Sequence, residues 1–320
     1  MLENNTNEKT ILEYIPDFLE YLAVEKNLSN NSQITYHHLL NKFAKWLEIN
    51  HLSNIKPSEL TKEHIWKYRL FLSKEQKGNI QKESLKRSTQ NYYLIVLRNL
   101  LKFFVEREIK SLAPENIKLG KERKEKTIKF LTLDQLKKLL SAPDSKTKTG
   151  LRDRAILETL FSTGMRVAEL VSLNRDQIKI KPETKDLEIS IIGKGSRERT
   201  VYFSERAINA LREYLKQRED KEPALFINFK GPKETILKRL TPRSIQNIVK
   251  KYSKIAGVPI NTTPHVLRHT FATDLLMQGV DLRTVQEFLG HKNISTTQVY
   301  THITNKRLKE IHKKYHSLSQ

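Results

Sequence analysis

Apolar residues recur every three or four positions along the first 110 residues of the chain, and this spacing is typical of amphipathic helices. The predicted helices are residues 11–25, residues 32–49, Thr61 to about residue 74, and a long fourth helix that Ser88 caps. A polar loop at 76–87 precedes the fourth helix. The inward positions of that helix are predicted to be Tyr92, Ile95, Leu100 and Phe103. The pattern therefore predicts a small module of four helices.

A charged stretch then interrupts the helical pattern. Residues 117–129 read IKLGKERKEKTIK and contain almost no bulky apolar side chains. This composition is typical of an inter-domain linker, and its lysine and arginine side chains are also suited to phosphate contacts. A plain solvated connector is an equally good interpretation, so the segment marks a boundary without assigning a function.

Helical spacing returns after Phe130, with one change of period. Thr132 is predicted to cap a helix whose apolar stripe is Leu133, Leu136 and Leu140. Over 187–203, β-branched residues alternate on both sides of a Gly-Lys-Gly-Ser turn, which predicts a β-hairpin. The other predicted helices are 151–163, 205–217, 242–256, 264–278, 281–289 and 304–314. We therefore expect a mainly α fold with a small β-sheet. The predicted division of the chain is a helical domain at 1–116, a linker at 117–129 and a second domain at 130–320.

Composition adds a strong positive charge to this picture. The chain has 320 residues, with 58 Lys and Arg against 36 Asp and Glu, for a formal net charge of +22. An excess of this size favours a polyanionic partner, and nucleic acid is the leading candidate. A membrane partner would need a lipidation signal or an amphipathic basic helix with a broad apolar face, and we find neither. A protein with a merely solvated basic surface is the alternative.

The chain contains no cysteine. Disulfides, thiolate catalysis and cysteine-type zinc sites are therefore excluded. The polar N-terminus MLENNTNEKT is unlike a targeting peptide, and no apolar run approaches the roughly 18 residues of a membrane helix. We therefore expect a soluble protein of the cytoplasm, associated with the nucleoid.

Two short motifs in the second part carry candidate chemistry. In TGMRVAEL, Arg166 and Glu169 are three residues apart and are expected to share a helix face. In the hairpin turn GKGSRER, Lys194 lies between two glycines that permit a tight turn and a close approach to a ligand. The turn lacks the spacing of a phosphate-binding P-loop. Each motif is weak alone, since an exposed Arg–Glu pair contributes under about 1 kcal/mol and the chain has many lysines.

A third motif, TPHVLRHTFATDLL at 263–276, places His265 and Arg268 on one helix face and the apolar residues on another. Downstream, the motif LGHKNISTTQVYTH contains His291 and, nine residues later, Tyr300. The competing interpretation is a zinc site, which lacks an acidic or cysteine ligand at a recognisable spacing. Its ligands would be His265, His269, His291 and His302.

Six residues occur in the order, spacing and local context of the tyrosine recombinase signature, so the chain resembles that family and in particular its bacterial Xer branch. The six are Arg166, Lys194, His265, Arg268, His291 and Tyr300. The resemblance extends more loosely to the front half. It implies an N-terminal four-helix core-binding domain followed by a mixed α/β catalytic domain. An additional arm-binding domain, of the kind found in phage-lambda-type integrases, is not expected.

The resemblance implies a site-specific recombinase that cleaves and rejoins DNA through a covalent 3′-phosphotyrosyl intermediate, with Tyr300 as the nucleophile. The chemistry of the residues agrees with this reaction. A tyrosine phenol has a pKa of about 10 and must lose its proton as it attacks. Arg166 and Arg268 carry planar charged groups that can each bind a phosphate bidentately. They supply the charge stabilisation that metals give elsewhere, so no cofactor and no metal are expected.

The other members of the set are assigned to proton transfer and positioning. The resemblance implies that Lys194 is the general acid for the leaving 5′-oxygen. His265 is a general base or a phosphate donor, and His291 donates to the phosphate or orients the nucleophile; both histidines are candidates for the base. Glu169 would hold Arg166 or His265 in position, and the alternative for it is a plain surface carboxylate.

Basic residues on the predicted helices are candidates for DNA contact. They are Lys42, Lys45, Lys67, Arg69, Lys86 and Arg87 in the first part, and Arg239, Arg243 and Lys250 in the second. Phosphate contacts give affinity and base contacts give sequence choice, so these candidates do not identify a target site. The basic tail after Tyr300 is predicted to be an amphipathic helix. The resemblance implies that this helix is an oligomerisation element that docks onto a neighbouring protomer.

The expected partners are a double-stranded DNA recombination site and further copies of the chain. The resemblance implies a homo-tetramer arranged as a dimer of dimers, or a hetero-tetramer with a paralogue, and no membrane partner. Two other functions stay open. A type IB topoisomerase shares the chemistry but relaxes supercoils as a monomer on any sequence, and a DNA-binding protein with a decayed site binds without forming an adduct. Chromosome-dimer resolution and mobile-element integration are both compatible with the sequence.

Overall fold

The computed structural model describes residues 9–74, 85–120, 129–193, 198–229 and 238–290. These residues form α-helices and one two-stranded sheet, and the chain divides into two compact units, Met1–Glu125 and Lys126–Gln320. The predicted fold class, mainly α with a small β-sheet, is confirmed. Several predicted segments lie outside the described residues: the loop from 76 to 84, most of the linker, the hairpin turn and the helix at 304–314.

Four helices build the first unit. They are α1 (Ile11–Val24), α2 (Asn30–Ile49), α3 (Lys62–Lys74) and α4 (Arg87–Glu106). Their apolar faces meet in a core rich in aromatic rings, in which Phe43 packs against both Trp46 and Tyr68 with ring centroids 5.7 and 5.0 Å apart. Burying a large apolar side chain stabilises a fold by about 1.5–3 kcal/mol. The four predicted helices are therefore present and share one core.

The fourth helix differs from its prediction in two details. α4 begins at Arg87, directly after Lys86, so Ser88 lies inside the first turn and does not cap the helix. Tyr92 is 62% exposed, because the inward stripe of α4 runs along other positions. The predicted inward positions Leu100 and Phe103 are confirmed; the buried side chains of α4 are Leu94, Val96, Leu97, Leu100, Leu101, Phe103 and Phe104.

The start of the predicted linker belongs to the first unit. Ile117 is fully buried in the core of this unit. The backbone N–H of Gly120 donates to Asn91 Oδ1 at 3.0 Å, and the side-chain amide of Asn91 donates back to the Gly120 carbonyl at 2.9 Å. The chain therefore remains attached to the helical module as far as residue 120.

The second unit contains seven described helices and the hairpin. They are α5 (Leu133–Ser141), α6 (Lys148–Thr163), α7 (Val167–Ser172), β1 (Leu187–Ile192), β2 (Glu198–Phe203), α8 (Glu205–Lys216), α9 (Pro242–Ile255), α10 (Pro264–Gln278) and α11 (Leu282–Leu289). β1 and β2 pair antiparallel from Leu187–Phe203 to Ile192–Glu198, as the alternating pattern predicts. α6 packs against α8, α10 and β2. Leu133 is mostly exposed, so the apolar stripe of α5 is Leu136, Leu139 and Leu140.

Caps fix the ends of the helices that carry the motifs. Thr132 caps α5 and Thr263 caps α10, each accepting a hydrogen bond from a backbone N–H of the first turn. α6 ends at Gly164 with φ 57°, and α11 ends at Gly290 with φ 60°. This left-handed conformation favours glycine because other residues meet a steric cost there. No helix of the described ranges has both the length and the apolar character needed to cross a membrane.

Candidate active site

Part of the six-residue signature lies in the described region of the second unit. Arg166 directly precedes α7, Glu169 lies in its first turn, and His265 and Arg268 lie on α10. The other members fall outside the described residues, and their placement stays a prediction: they are Lys194, His291 and Tyr300.

Arg166 is the N-cap residue of α7, with extended backbone angles of φ −75° and ψ 151°. Its backbone N–H donates to Glu169 Oε2 at 2.7 Å, and its Nη1 donates to Glu169 Oε1 at 3.0 Å. The two residues are therefore paired, but across the helix N-terminus and not along a helix face as the spacing suggested. A carboxylate in this position also satisfies a backbone donor that the helix leaves without a partner.

Glu169 is a buried carboxylate, with only 6% of its surface exposed. Arg199 of β2 donates Nη1 to Oε1 at 3.0 Å and Nη2 to Oε2 at 2.8 Å. Burial raises the pKa of Glu169, but the hydrogen bonds from Arg199 and Arg166 lower it more, so that the pKa is about 2. Glu169 is therefore ionised at neutral pH and holds two guanidinium groups. Its burial rules out the plain surface carboxylate.

Arg268 is almost fully buried and joins the ends of two helices. Its Nη1 donates to the carbonyl of Gly164, at the end of α6, at 2.6 Å. Its Nη2 donates to the carbonyl of Leu289, at the end of α11, at 2.5 Å. The last carbonyls of a helix have no partner within that helix, and a cation is favoured there by the helix dipole. These contacts fix the direction of the Arg268 side chain.

Two further arginines bind the same end of α11. Arg199 Nε donates to the carbonyl of Phe288 at 3.2 Å, and Arg166 Nη2 donates to the carbonyl of Gly290 at 3.3 Å. With the bond from Arg268 to Leu289, three successive carbonyls accept from three different arginines. We call Arg166, Arg199 and Arg268 the arginine cluster. It concentrates positive charge at the residue that precedes His291 in the chain.

The two histidines of α10 lie in the field of this cluster. Partial burial lowers the pKa of His265, and the charges of Arg268 and Arg166 lower it further. Burial also lowers the pKa of His269, with smaller contributions from His265 and Arg268. Both side chains are therefore mainly neutral at pH 7 and able to accept a proton.

Two of the four ligands of the zinc interpretation, His291 and His302, lie outside the described residues, so the described residues do not test it. They contain no group of three or more histidine, aspartate or glutamate side chains that could hold a metal ion. The buried carboxylate of Glu169 is paired with Arg166 and Arg199. Charge at this site is therefore supplied by guanidinium groups in the part of the chain that the structure covers.

Several candidate DNA contacts of the first unit are on its surface. Lys45, Lys86 and Arg87 are exposed. Lys42 is partly buried, with its ammonium 5.6 Å from the centre of the Phe71 ring, and burial lowers its pKa. The remaining candidates are Lys67, which pairs with Glu63, and Arg69, which is partly buried. The exposed side chains are suited to phosphate contact, and this role stays a prediction.

The candidates of the second unit divide into two kinds. Arg243 and Lys250 are exposed on α9. Arg239 instead donates Nη1 to the carbonyls of Val171 at 2.7 Å and Leu173 at 2.9 Å. Because these carbonyls lie at the end of α7, the contacts indicate a structural role for Arg239 and favour it over groove contact.

The sequence interpretation did not single out Arg199. One signal was available: in the alternation of β2, Arg199 has the same parity as Val201 and Phe203, which are buried. A charged side chain on an inward face needs partners. Those partners are 30 and 89 residues away in the chain, so their identity could not be read from local pattern.

Comparisons with known proteins find related sequences that match nearly the whole chain. The Phage integrase family model matches residues 129–307, and the Phage integrase N-terminal SAM-like domain matches residues 15–108. Tyrosine recombinase XerD of Listeria innocua is 36% identical over 310 residues, which cover 94% of this chain and 98% of that protein. Tyrosine recombinase XerC of Pelotomaculum thermopropionicum is 36% identical over 319 residues, covering 95% and 97%. The crystal structure of the XerH site-specific recombinase bound to palindromic difH substrate, a post-cleavage complex, is 26% identical with a TM-score of 0.66 and 96% coverage of both chains.

Proposed function

Because this chain belongs to the phage integrase family and is a Xer-like tyrosine recombinase, an enzyme of site-specific DNA recombination, we propose that Arg166 and Arg268 of its arginine cluster bind the scissile phosphate while Tyr300 attacks it. The observation that carries the proposal is the convergence of Arg166 and Arg268 on the end of α11. His265 lies on the same helix as Arg268, and the charges of Arg268 and Arg166 contribute to lowering its pKa.

The reaction that this site supports exchanges one phosphodiester for another. The Tyr300 oxygen forms a bond to phosphorus, and the bond between phosphorus and the 5′-oxygen breaks. The products are a 3′-phosphotyrosyl ester and a 5′-hydroxyl, so the energy of the ester is kept and no nucleotide is consumed. A 5′-hydroxyl from another strand then attacks the ester, which restores DNA and releases the tyrosine.

Fixed positive charge is the main contribution of the described residues to this reaction. Negative charge grows on the non-bridging oxygens as the phosphorus becomes five-coordinate. Arg166 and Arg268 are held in advance by Glu169 and by backbone carbonyls, so little reorganisation is needed when the charge develops. Removing one such donor typically costs about a hundredfold or more in rate.

Proton transfer is assigned to one lysine and one histidine of the signature. Lys194 donates a proton to the leaving 5′-oxygen. The phenolic proton goes to a neutral histidine, and the lowered pKa of His265 suits it to this role. His291 is the alternative acceptor, because it follows Gly290 directly in the sequence.

We also propose double-stranded DNA as the substrate, bound at a recombination site by a tetramer of this chain or by a hetero-tetramer with a paralogue, in the cytoplasm. Support comes from the net charge of +22 and from the DNA substrate in the similar XerH complex. The first unit serves as a core-binding domain, and Lys45 and Arg87 contact phosphates. In the second unit, Arg243 and Lys250 have the same role.

A nicked suicide duplex tests the nucleophile. The protein is incubated with the duplex and denatured, and the covalent protein–DNA adduct is separated on a gel. We expect an adduct with the wild type and with Tyr92→Phe, a matched control at an exposed tyrosine. Tyr300→Phe should bind the duplex and form no adduct. An adduct at the wild-type level with Tyr300→Phe would overturn the assignment, and relaxation of supercoils on any sequence without recombinants would favour a topoisomerase.

A further inference from the structure

Arg199 is a charged side chain on the inward face of the β-hairpin. It shares that face with Val201 and lies opposite Ile191 in the ladder, and both of these residues are buried. The Arg199 side chain itself is 11% exposed. Burial of a charge is unfavourable unless the charge is paired and hydrogen bonded. The contacts of Arg199 therefore indicate why it is there.

Those contacts join three elements through one guanidinium group. Nη1 and Nη2 donate to the two oxygens of Glu169, on α7, in parallel. Nε donates to the carbonyl of Phe288, on α11. The aliphatic part of the side chain also lies against Gly290, where an added Cβ would come within 2.8 Å of Arg199 Cδ. Arg199 thus links the hairpin to α7 and to the end of α11.

We propose that Arg199 is a positioning residue for strand cleavage, which holds Glu169 in the orientation that aligns Arg166 and holds the end of α11 from which the chain continues to His291 and Tyr300. The inference rests on the proposed function only in that Arg166 binds the phosphate. Arg199 acts through Glu169 and the backbone, and it needs no contact with DNA.

The position of Glu169 depends on both of its partners. Oε1 accepts from Arg166 Nη1 and from Arg199 Nη1, each at 3.0 Å. Without Arg199, both carboxylate oxygens lose a charged donor, and the buried Glu169 is paired with Arg166 alone. The carboxylate and the guanidinium of Arg166 are then free to turn together, and Arg166 no longer presents its donors in a fixed direction.

Arginine is the residue type that these contacts require. Its planar group donates two parallel hydrogen bonds to a carboxylate and a third from Nε. Lysine has the same charge but a single ammonium group, so it reaches Glu169 and cannot also reproduce the contact with Phe288. Arg199→Lys is therefore expected to restore part of the function that Arg199→Gln loses.

A matched control exists in the same unit. Arg206 also pairs with a buried glutamate, donating Nη2 to Glu158 Oε1 at 2.7 Å. Its Nε donates to the same oxygen at 3.3 Å, so these contacts of Arg206 involve Glu158 and no member of the arginine cluster. Loss of either pair leaves a buried carboxylate behind, so Arg199→Gln and Arg206→Gln should lower the melting temperature comparably. A purely structural role for Arg199 would give both variants the same catalytic behaviour.

The experiment measures DNA affinity and the single-turnover rate of adduct formation at saturating suicide duplex, with the full-length protein. We expect Arg199→Gln to bind within about twofold of the wild type and to form adduct about tenfold or more slowly. Arg199→Lys should lie between the two, and Arg206→Gln should keep the wild-type rate. An Arg199→Gln rate equal to that of Arg206→Gln would overturn the proposal, as would a loss confined to DNA affinity. Should Arg199→Gln not fold, a wild-type rate for Arg199→Lys overturns it.

A double variant tests the route through Glu169. If Arg199 acts through Glu169, the rate of Glu169→Gln/Arg199→Gln is higher than the product of the two single losses predicts. Full multiplication of the losses overturns this route. Failure here is distinct from failure of the proposed function, because the latter appears as an adduct formed by Tyr300→Phe.

Discussion

Individual residues of the site carry buried charges with fixed partners: Glu169 pairs with Arg166 and Arg199, and Arg268 donates to backbone carbonyls. Glu169 and Arg268 are almost completely removed from water, and Arg166 is partly buried. Removing one partner from a buried pair typically costs about 3–5 kcal/mol, because the other charge stays buried without it. A phosphate that approaches this cluster therefore meets guanidinium groups whose directions are already set.

The ionisation of Glu169 makes stability depend on pH in a defined window. Its carboxyl has an ordinary pKa of 4.5 and a pKa of about 2 in the folded chain. A depressed pKa stabilises the fold above the unfolded value, and the stabilisation is lost as the pH falls towards the folded value. The ionisation of Glu169 therefore contributes about 3 kcal/mol to the free energy of unfolding at pH 7 and about 2 kcal/mol at pH 3.5.

We therefore expect Glu169→Gln to be less stable than the wild type at pH 7, with a difference that narrows by about 1 kcal/mol at pH 3.5. Urea unfolding of both proteins at the two pH values measures this change. The glutamine keeps the shape of the side chain and removes its charge, so packing is matched. A difference that stays constant or widens on acidification would contradict the depressed pKa.

Arg239 and Lys250 provide a second comparison between residues. Because Arg239 binds the carbonyls of Val171 and Leu173, Arg239→Ala should lower the free energy of unfolding by about 1–3 kcal/mol. Its effect on the salt dependence of DNA binding should be small. Lys250 is exposed on α9, so Lys250→Ala should leave stability unchanged and reduce the salt slope by about one. If Arg239→Ala instead left stability unchanged and reduced the salt slope, Arg239 would be a DNA contact.

Helix ends are the elements that position the site. The ends of α6 and α11 supply backbone carbonyls that bind Arg268, and the backbone N–H at the start of α7 binds the carboxylate of Glu169. Helix termini leave such groups without intrahelical partners, and here side chains satisfy them. Substitutions that move a helix end should therefore affect cleavage even when they change no charged residue.

Gly164 tests this connection between a helix end and the site. A Cβ at Gly164 would lie 2.4 Å from Phe271 Cδ1, at a backbone φ of 57°, and the Gly164 carbonyl binds Arg268. We expect Gly164→Ala to lower stability by more than about 2 kcal/mol and to slow adduct formation. Gly257 is the matched control, since it has φ 63° and open space around the Cβ position.

Gly257→Ala should cost only the left-handed backbone conformation, about 1 kcal/mol, and leave the rate of adduct formation unchanged. Thermal unfolding and single-turnover cleavage of both variants make the comparison. Equal effects of the two substitutions would show that the contact with Phe271 and the carbonyl bond are unimportant.

The hydrophobic periodicity predicted which elements form better than it predicted which of their residues are buried and where the elements begin and end. The hairpin, the cap of α5 and the helix order follow from local spacing, because the rules for these features involve residues close in the chain. Tyr92 and Leu133 were expected inside and are exposed, because the neighbouring leucines set the inward direction. The role of Arg199 depends on partners in α7 and α11, which only the tertiary fold brings together.

The whole molecule combines two units, each with its own apolar core, and a net charge of +22. The family places both units in one enzyme of site-specific recombination. Much of the basic charge lies outside the arginine cluster. A substrate with phosphates on both sides of the cleavage site matches that distribution, since contacts far from the reacting bond supply affinity without altering the chemistry.

Binding of the full-length protein to a duplex that carries its cleavage site should weaken steeply with salt. Each phosphate neutralised contributes about −0.9 to the slope of log affinity against log salt concentration, so six to ten contacts cost about 10³–10⁵ in affinity between 50 and 200 mM salt. Lys45→Ala removes an exposed lysine of α2 and should make the slope shallower by about one. Lys26→Ala is the matched control, because that ammonium is already paired with Glu106 at 3.3 Å, and its slope should equal that of the wild type. An affinity independent of salt would exclude phosphate contacts as the source of binding, and equal slopes for all three proteins would remove Lys45 from the interface.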